Sequence, residues 1–156
     1  MTLAVDLVHE ERYWYPDDGG IVWVAGYHLV DGDGRFLGRD APELAERGLR
    51  VVGAAGAGRH HASALESEDA APGRPLVLRR DPANPHDPHA IALLTPAGEQ
   101  VGWVPREVAA QLAPRLDAGA PWSAVVLRER RASPRDPRTG LTVLLAPAAA
   151  IDLRLG

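Results

Sequence analysis

The chain of 156 residues contains no cysteine and no lysine. Without cysteine, disulfide bonds, thiolate catalysis and cysteine-based zinc sites are excluded. Aromatic residues are also few, with four Trp, three Tyr and one Phe. A chain of this length is nevertheless able to bury a sizeable core, which predicts one domain or one domain with an extension.

Long apolar runs are missing as well. No stretch of about 18 apolar residues occurs, so no membrane-spanning helix is predicted. The first residues, Met1–Asp6, do not begin a basic segment followed by a long apolar run, so no secretory signal is predicted. The simplest expectation is a cytoplasmic protein that has no membrane partner.

All 17 cationic residues are arginine, and the net charge is −4. This net charge disfavours broad non-specific binding to DNA. The charge is unevenly distributed, because residues 1–73 carry 6 Arg and 13 acidic residues whereas residues 74–138 carry 10 Arg and 7 acidic residues. The second segment is therefore compatible with a local basic groove on an acidic protein.

The most distinctive stretch runs from Arg79 to Pro105. Three of its prolines, at positions 82, 85 and 88, are each directly preceded by a short polar residue: Asp81, Asn84 and Asp87. Proline restricts its own φ and the conformation of the residue before it, so the loop is stiff. The polar side chains are placed to bond to nearby backbone N–H groups, and for Asn84 this turn-making role is favoured. Arg80 is expected to be a solvated charge at the end of a strand.

Several spaced motifs in this region resemble a known family. They are Leu76-x-Leu78-x-Arg80-Asp81-Pro82-x-Asn84-Pro85-x-Asp87-x-x-Ala90-Ile91, then Val101-Gly102-Trp103-Val104-Pro105-Arg106-Glu107, then an Ala/Leu-rich segment. In this order they resemble the HIRAN domain, over roughly Leu49 to Pro147. That module occurs at the front of some fork-remodelling translocases and as a small free-standing bacterial protein, which this chain looks like. The resemblance implies a mainly β fold with one or two short helices, in a small, partly open OB-like or SH3-like barrel.

Animal members of this family bind the 3′ end of single-stranded DNA. The resemblance therefore implies a non-enzymatic module that recognises free 3′-OH ends in DNA repair or at replication forks. No motor or nuclease motif accompanies the module, so such a role implies a repair or helicase protein as partner.

The family's binding pocket has matching charged positions in this chain. Asp87 matches the acidic residue that contacts the 3′-hydroxyl, and a carboxylate accepting an O–H bond makes a strong charge-assisted contact. Arg59 precedes the first helix of the domain and matches a cation of the pocket. Arg106 matches a cation that contacts phosphate. The carboxylate would also repel a phosphorylated end.

Three rings complete the matching pocket. His60 and His86 stand where animal members carry Tyr, and an imidazole offers less area for stacking. Trp103 is placed either to stack on a base or to fill the core. Because stacking is worth about 1–3 kcal/mol per base, the exchange of Tyr for His implies weaker binding of DNA.

The chain is predicted to divide into a β-rich extension at residues 1–47, a HIRAN-like domain at residues 48–147 and a tail at residues 148–156. Within the domain, the predicted order is strand, short helix, three strands, helix and two strands. The extension holds Trp14, Tyr15, Trp23 and Tyr27. We favour the interpretation that these rings fill a core between the extension and the barrel. The alternative is that they form a docking or base-stacking surface.

Two other functions stay open. A protein-interaction or scaffold module that has lost the pocket fits the acidic charge, the missing Tyr rings and the aromatic extension. A metal-dependent hydrolase acting on nucleic acid would use His86, Asp87 and His89, together with His60 and His61 from earlier in the chain. The spacing of these residues completes no ligand set. The glycines at 53, 56 and 58 match no phosphate-binding fingerprint. Catalytic residues, a metal and a cofactor are therefore not predicted.

Overall fold

A computed structural model of the chain describes residues 3–15, 21–148 and 151–155. The side chains of residues 3–5, 59 and 151–155 lie outside the described part, as do residues 16–20, whose Pro-Asp-Asp-Gly-Gly sequence predicts a turn. The described residues form ten strands, four helices and a 3-10 turn. In chain order these are β1 (Leu3–Trp14), β2 (Val22–Val30), β3 (Phe36–Leu37), α1 (Pro42–Glu46), β4 (Arg50–Gly53), α2 (Ala57–His60), α3 (Ala62–Leu65), the 3-10 turn (Glu68–Ala70), β5 (Pro75–Arg80), β6 (Ile91–Leu94), β7 (Gln100–Trp103), α4 (Arg106–Asp117), β8 (Trp122–Arg131), β9 (Arg138–Pro147) and β10 (Ile151–Leu155).

The strands β4 to β9 wind into a barrel that is not closed. β8 pairs with β5 and β9, β9 pairs with β4, and β5 continues through β6 to β7, all antiparallel. Across the remaining gap, the described pairing is an isolated bridge in which Ala55 and Trp103 exchange backbone hydrogen bonds of 2.8 and 2.9 Å. The prediction of a mainly β, partly open barrel is confirmed.

The N-terminal strands continue the same sheet. β2 pairs antiparallel with β8 from Trp23 opposite Arg131 to Gly26 opposite Arg128, and β1 pairs with β2 on the far side. Gly26 has a φ of 142°, and a Cβ atom there would lie 2.2 Å from the carbonyl oxygen of Leu127. A glycine is therefore required for β2 and β8 to approach so closely.

Two apolar cores lie on opposite faces of β8 and β9. Successive side chains of a strand point to opposite faces, so Val126 and Val143 enter the barrel core while Leu127 and Leu144 enter the second core. The second core is completed by the extension and by the chain around α1, with Leu7 among its fully buried side chains. The extension is thus held to the barrel by buried apolar area as well as by strand pairing.

The aromatic residues of the extension do not all fill this core. Trp14 is 39% exposed and Tyr15 is 69% exposed, so the core interpretation is wrong for these two rings. Tyr27 is half-buried against the second core, as expected. The difference arises because Trp14 and Tyr15 stand at the end of β1, beyond the part of the sheet that the second core covers.

The tail contains a strand that the sequence patterns do not predict. Residues Ile151–Leu155 form β10, which pairs in parallel with β1 from Leu3 to Leu7. None of the helices in the described part of the chain has the length and hydropathy needed to cross a bilayer.

Candidate functional site

The proline-rich loop between β5 and β6 is held by its own polar side chains. Asn84 Oδ1 accepts hydrogen bonds from the backbone N–H groups of His86, at 2.9 Å, and Asp87, at 3.2 Å. Asp87 Oδ1 in turn accepts from the N–H of His89 at 2.9 Å. The turn-making role predicted for Asn84 is confirmed. These local bonds fix the direction in which the loop side chains point.

A long-range contact braces the same loop. The guanidinium of Arg80 donates to the carbonyl oxygens of Pro88 and Ala90, each at 2.9 Å. It also pairs with Asp117 at the end of α4, with Nε 2.9 Å from Oδ1. The expectation that Arg80 is a solvated charge is wrong, because its side chain is only 16% exposed. The loop is therefore tied to α4, the helix that follows β7.

A cavity of about 340 Å³ lies where this loop meets β7 and the start of α4. We refer to it as the Asp87 cavity. Four of the six predicted site residues line it. Its lining residues are Ala55, Asn84, His86, Asp87, Ala90, Trp103, Val104 and Arg106. The cavity stands at the gap of the barrel, beside the bridge between Ala55 and Trp103.

The Asp87 cavity contains one acidic side chain, that of Asp87, and one basic side chain, that of Arg106. Arg106 Nε lies 3.8 Å from Asp87 Oδ2, and Arg106 Nη2 donates to the carbonyl oxygen of His86 at 2.6 Å. The Asp87 side chain is 18% exposed, whereas that of Arg106 is 73% exposed. The carboxylate is thus a fixed, half-sheltered acceptor, and the guanidinium is a solvent-facing donor at the rim.

The remaining two predicted residues, Arg59 and His60, lie within α2, so the expectation that Arg59 precedes the first helix of the domain is wrong. A Cβ atom placed on Gly56 would be 3.4 Å from His60 Cδ2 and 3.7 Å from Trp103 Cδ1. The rings of His60 and Trp103 therefore lie beside the same glycine, so His60 is near Trp103 but is not among the residues that line the Asp87 cavity. The backbone of Arg59 lies in α2, but its side chain is outside the described part of the structure.

Sequence patterns miss the apolar part of the cavity wall. Ala55, Ala90 and Val104 line the cavity, and none of them carries a chemical signal of its own. Ala55 lies at the site only because it pairs with Trp103, and the spacing of the sequence motifs does not predict that pairing.

The histidines near the cavity do not gather with the acids into a metal site. Among the described residues, no group of three or more His, Asp or Glu side chains is placed to hold a metal ion. His61 has a buried Nε2 atom that lacks a hydrogen-bond partner. Burial, followed by the neighbouring His60, lowers the pKa of His61.

Comparison with known proteins identifies the region that contains this site. The family model described as the HIRAN domain matches residues 49–146, which include all six predicted site positions. No curated protein matches the chain. Among solved structures, the crystal structure of the HIRAN domain of human HLTF is similar, with 24% identity, a TM-score of 0.46 and coverage of 62% of this chain and 74% of that chain.

Proposed function

This chain belongs to the HIRAN domain family, and on that premise we propose that it is a non-enzymatic module that binds the free 3′-OH end of single-stranded DNA. Membership supports a nucleic-acid-binding module in general terms. The observation that carries the finer proposal is the convergence of His86, Asp87, Trp103 and Arg106 on one cavity. A concave site with a few convergent polar groups is where ligands usually bind.

Asp87 is the residue we assign to the terminal hydroxyl. Its Oδ1 atom is occupied by the N–H of His89, which holds the side chain in one orientation. Its Oδ2 atom lies 3.8 Å from Arg106 Nε, too far for a hydrogen bond, and so has acceptor capacity left. A 3′-hydroxyl would donate to this oxygen, whereas a 3′-phosphate would be repelled by it.

Arg106 is assigned to the nearest phosphate. Its exposed guanidinium is anchored through Nη2 to the carbonyl oxygen of His86, and its other N–H groups remain available to a ligand. Arginine binds phosphate oxygens with strong charge-assisted bonds. One phosphate contact of this kind contributes about −0.7 to the slope of log affinity against log salt for a single strand.

The rings of the cavity are assigned to the terminal base and sugar. Trp103 is half-buried, lines the cavity and has its backbone fixed by the bridge to Ala55. A base stacked on its indole would gain about 1–3 kcal/mol, and this gain depends little on which base is present. His60 and His86 supply smaller faces at the edge. The module would consequently recognise an end rather than a sequence.

We assign this module to residues 48–147, with residues 1–47 as an extension and residues 148–156 as a tail. A role in DNA repair or at replication forks, in the cytoplasm, would join this end recognition to the activity of a helicase or repair protein.

Fluorescence anisotropy of 5′-labelled single-stranded 12-mers ending in 3′-OH, 3′-phosphate or a blocked hydroxyl tests the proposal. We expect the wild type to prefer the free 3′-OH. Asp87→Asn keeps an oxygen for the His89 N–H but removes the charge, so it should weaken 3′-OH binding about fivefold and reduce discrimination against the phosphate.

Asp33→Asn is the matched control, because Asp33 lies in an exposed turn outside the residues that line the Asp87 cavity. This variant should bind as the wild type does. Equal binding of all three ends by the wild type, or an unchanged preference in Asp87→Asn, would contradict end recognition.

A second candidate function is that of a protein-interaction or scaffold module. The observation in its favour is the set of exposed large apolar side chains around the β1–β2 end, which comprises Tyr13, Trp14, Tyr15 and Ile21 at 52, 39, 69 and 50% exposure. Exposed apolar patches of this kind often mark interaction surfaces. A scaffold of this type would show no DNA binding in the same anisotropy experiment at low salt.

A further inference from the structure

A second concave surface lies on the sheet, where the N-terminal extension joins the barrel. Its volume is about 270 Å³. We call it the arginine cleft. Its lining residues are Arg12, Trp14, Val24, Arg39, Arg128, Glu129, Arg130 and Thr142. Four arginines and one glutamate therefore meet beside one indole ring, on a protein whose net charge is −4.

Strand register explains why two of these arginines, Arg12 and Arg130, share one face. Arg12 stands opposite Val24, Val24 opposite Arg130, and Arg130 opposite Gly140, so these residues form one row across β1, β2, β8 and β9. Residues in direct cross-strand register project from the same side of a sheet. The cleft is thus a product of the pairing between the extension and the barrel.

The nearby carboxylates leave much of this positive charge unpaired. Glu129 is engaged by Arg131 and Arg138, and Glu10 lies 3.7 Å from Arg12 and 3.2 Å from His28. Within the described part of the chain, neither Arg39 nor Arg130 has a carboxylate within 4.0 Å. Burial lowers the pKa of Arg128; Glu10 opposes this effect, while Arg12 and Arg39 add to it. The cleft is accordingly electropositive.

An indole ring accompanies the charge. The guanidinium carbon of Arg130 lies 5.5 Å from the centre of the Trp14 ring. Trp14 is 39% exposed. An arginine beside an exposed aromatic face is the combination that proteins use to hold the phosphates and bases of a single strand.

A glycine-lined groove adjoins the cleft and extends towards the Asp87 cavity. Its volume is about 580 Å³, and it shares Arg130 with the arginine cleft. Its other end reaches Gly56, the residue flanked by the rings of His60 and Trp103. A Cβ atom at Gly53 or Gly140, both of which line the groove, would meet nothing within 4 Å. The floor of the groove is therefore open and allows close approach of a ligand backbone.

We propose that the arginine cleft is a second subsite for the same DNA strand, holding nucleotides upstream of the 3′ end seated in the Asp87 cavity. This inference rests on the proposed function. The route crosses β7, β4, β9, β8, β2 and β1 in turn, which at about 4.8 Å between strands is about 24 Å. That span fits the ~4–16 nucleotides that a single-strand-binding barrel covers. Arg12 and Arg130 contact phosphates there, and Trp14 stacks on a base.

Comparison of a 3-mer with a 12-mer, both 5′-labelled oligothymidines ending in 3′-OH, tests the second subsite. We expect the wild type to bind the 12-mer more tightly. The double variant Arg12→Gln with Arg130→Gln should lose this gain and leave 3-mer binding unchanged. Loss of two phosphate contacts reduces the salt slope by about 1.4, so between 50 and 200 mM salt the wild type should lose about sevenfold more affinity for the 12-mer than the double variant.

Gly140→Leu is a second variant that leaves every charge in place. Gly140 lies in β9 without a positive φ, so leucine is compatible with the strand, and its side chain would project into the groove. It should weaken binding of the 12-mer but not of the 3-mer. Arg35→Gln, an exposed arginine outside the cleft, is the matched control and should bind both probes normally.

The outcomes separate this inference from the function on which it rests. Equal affinity of the wild type for the two lengths, or an equal loss for both probes in the double variant, would overturn the second subsite while leaving end recognition intact. Arginine-dependent 12-mer binding without preference for a 3′-OH would overturn end recognition and, with it, the placement of the cleft upstream of a seated 3′ end. Absence of binding to any strand would overturn both.

Discussion

The side chains of the Asp87 cavity and those of the arginine cleft come together in different ways. In the cavity, Asn84 and Asp87 are positioned by hydrogen bonds to residues two or three places along the chain. In the cleft, Arg12 and Arg130 are brought together by strand pairing between distant segments. The cavity side chains are therefore oriented locally, whereas the cleft exists only when the whole sheet has formed.

The contacts that support the two sites also differ in how exposed they are to solvent. Arg80 braces the cavity loop and pairs with Asp117, whose side chain is 56% exposed. Beneath the cleft, Arg138 is buried; it bonds to Glu129 and donates to the carbonyl oxygens of Leu65 and Ser67 at 2.6 and 2.9 Å. A break in the first network should loosen a loop, whereas a break in the second should destabilise the fold.

The largest effect is expected from Arg138→Met. Burial raises the pKa of Glu129, but hydrogen bonds from Arg138 and Arg131 outweigh it and lower the pKa, so the carboxylate is charged in the fold. Removal of Arg138 leaves that charge poorly compensated and takes the guanidinium donor away from the buried carbonyl oxygen of Leu65, whereas the carbonyl oxygen of Ser67 still accepts from the N–H of Ala70. We expect the free energy of unfolding, measured in urea, to fall by about 3 kcal/mol.

The double variant Arg138→Met with Glu129→Leu is the informative companion. It removes the uncompensated charge and should recover part of the lost stability. A loss in Arg138→Met no larger than that in an exposed arginine variant would show that the cleft is not supported by this network.

A smaller, local effect is expected from Arg80→Met. Loss of the bonds to Pro88, Ala90 and Asp117 should lower the free energy of unfolding by about 1 kcal/mol, since one partner is a largely exposed carboxylate. Amide hydrogen exchange in the loop between β5 and β6 should accelerate, while exchange in β8 and β9 should change little.

Arg79→Met is the matched control, because Arg79 is exposed and neighbours Arg80 in the same strand. It should leave exchange in the loop unaltered. Global loss of protection in Arg80→Met, comparable to that in Arg138→Met, would remove the distinction between a locally and a globally supported site.

The smallest expected effect concerns pH. Because the fold lowers the pKa of His61, the unfolded chain binds this proton more readily, and stability should fall as pH decreases below the ordinary value of 6.5. His61→Phe should weaken that dependence in urea titrations at pH 8 and pH 5.5. His9→Phe, which alters an exposed histidine, should retain it.

The proline-rich loop shows which features of the site can be predicted from the amino-acid sequence. Proline spacing and short polar residues predict a stiff loop, and the bonds of Asn84 confirm the turn. The role of Arg80 in bracing the loop cannot be predicted in this way, because its partner Asp117 lies 37 positions away in the sequence. The sequence also does not predict that Ala55 and Val104 form part of the apolar wall of the cavity.

Local features of this protein follow from its amino-acid sequence: apolar alternation predicts the strands of the barrel, proline predicts the rigid loop, and the spacing of the motifs predicts the family. The pairing of β2 with β8, the exposure of Trp14 and the grouping of four arginines in a cleft become apparent in the folded chain. The reason is physical, since strand register depends on contacts between distant segments and on a close approach such as that at Gly26. A local pattern specifies which face a side chain takes, but not which strand lies beside it.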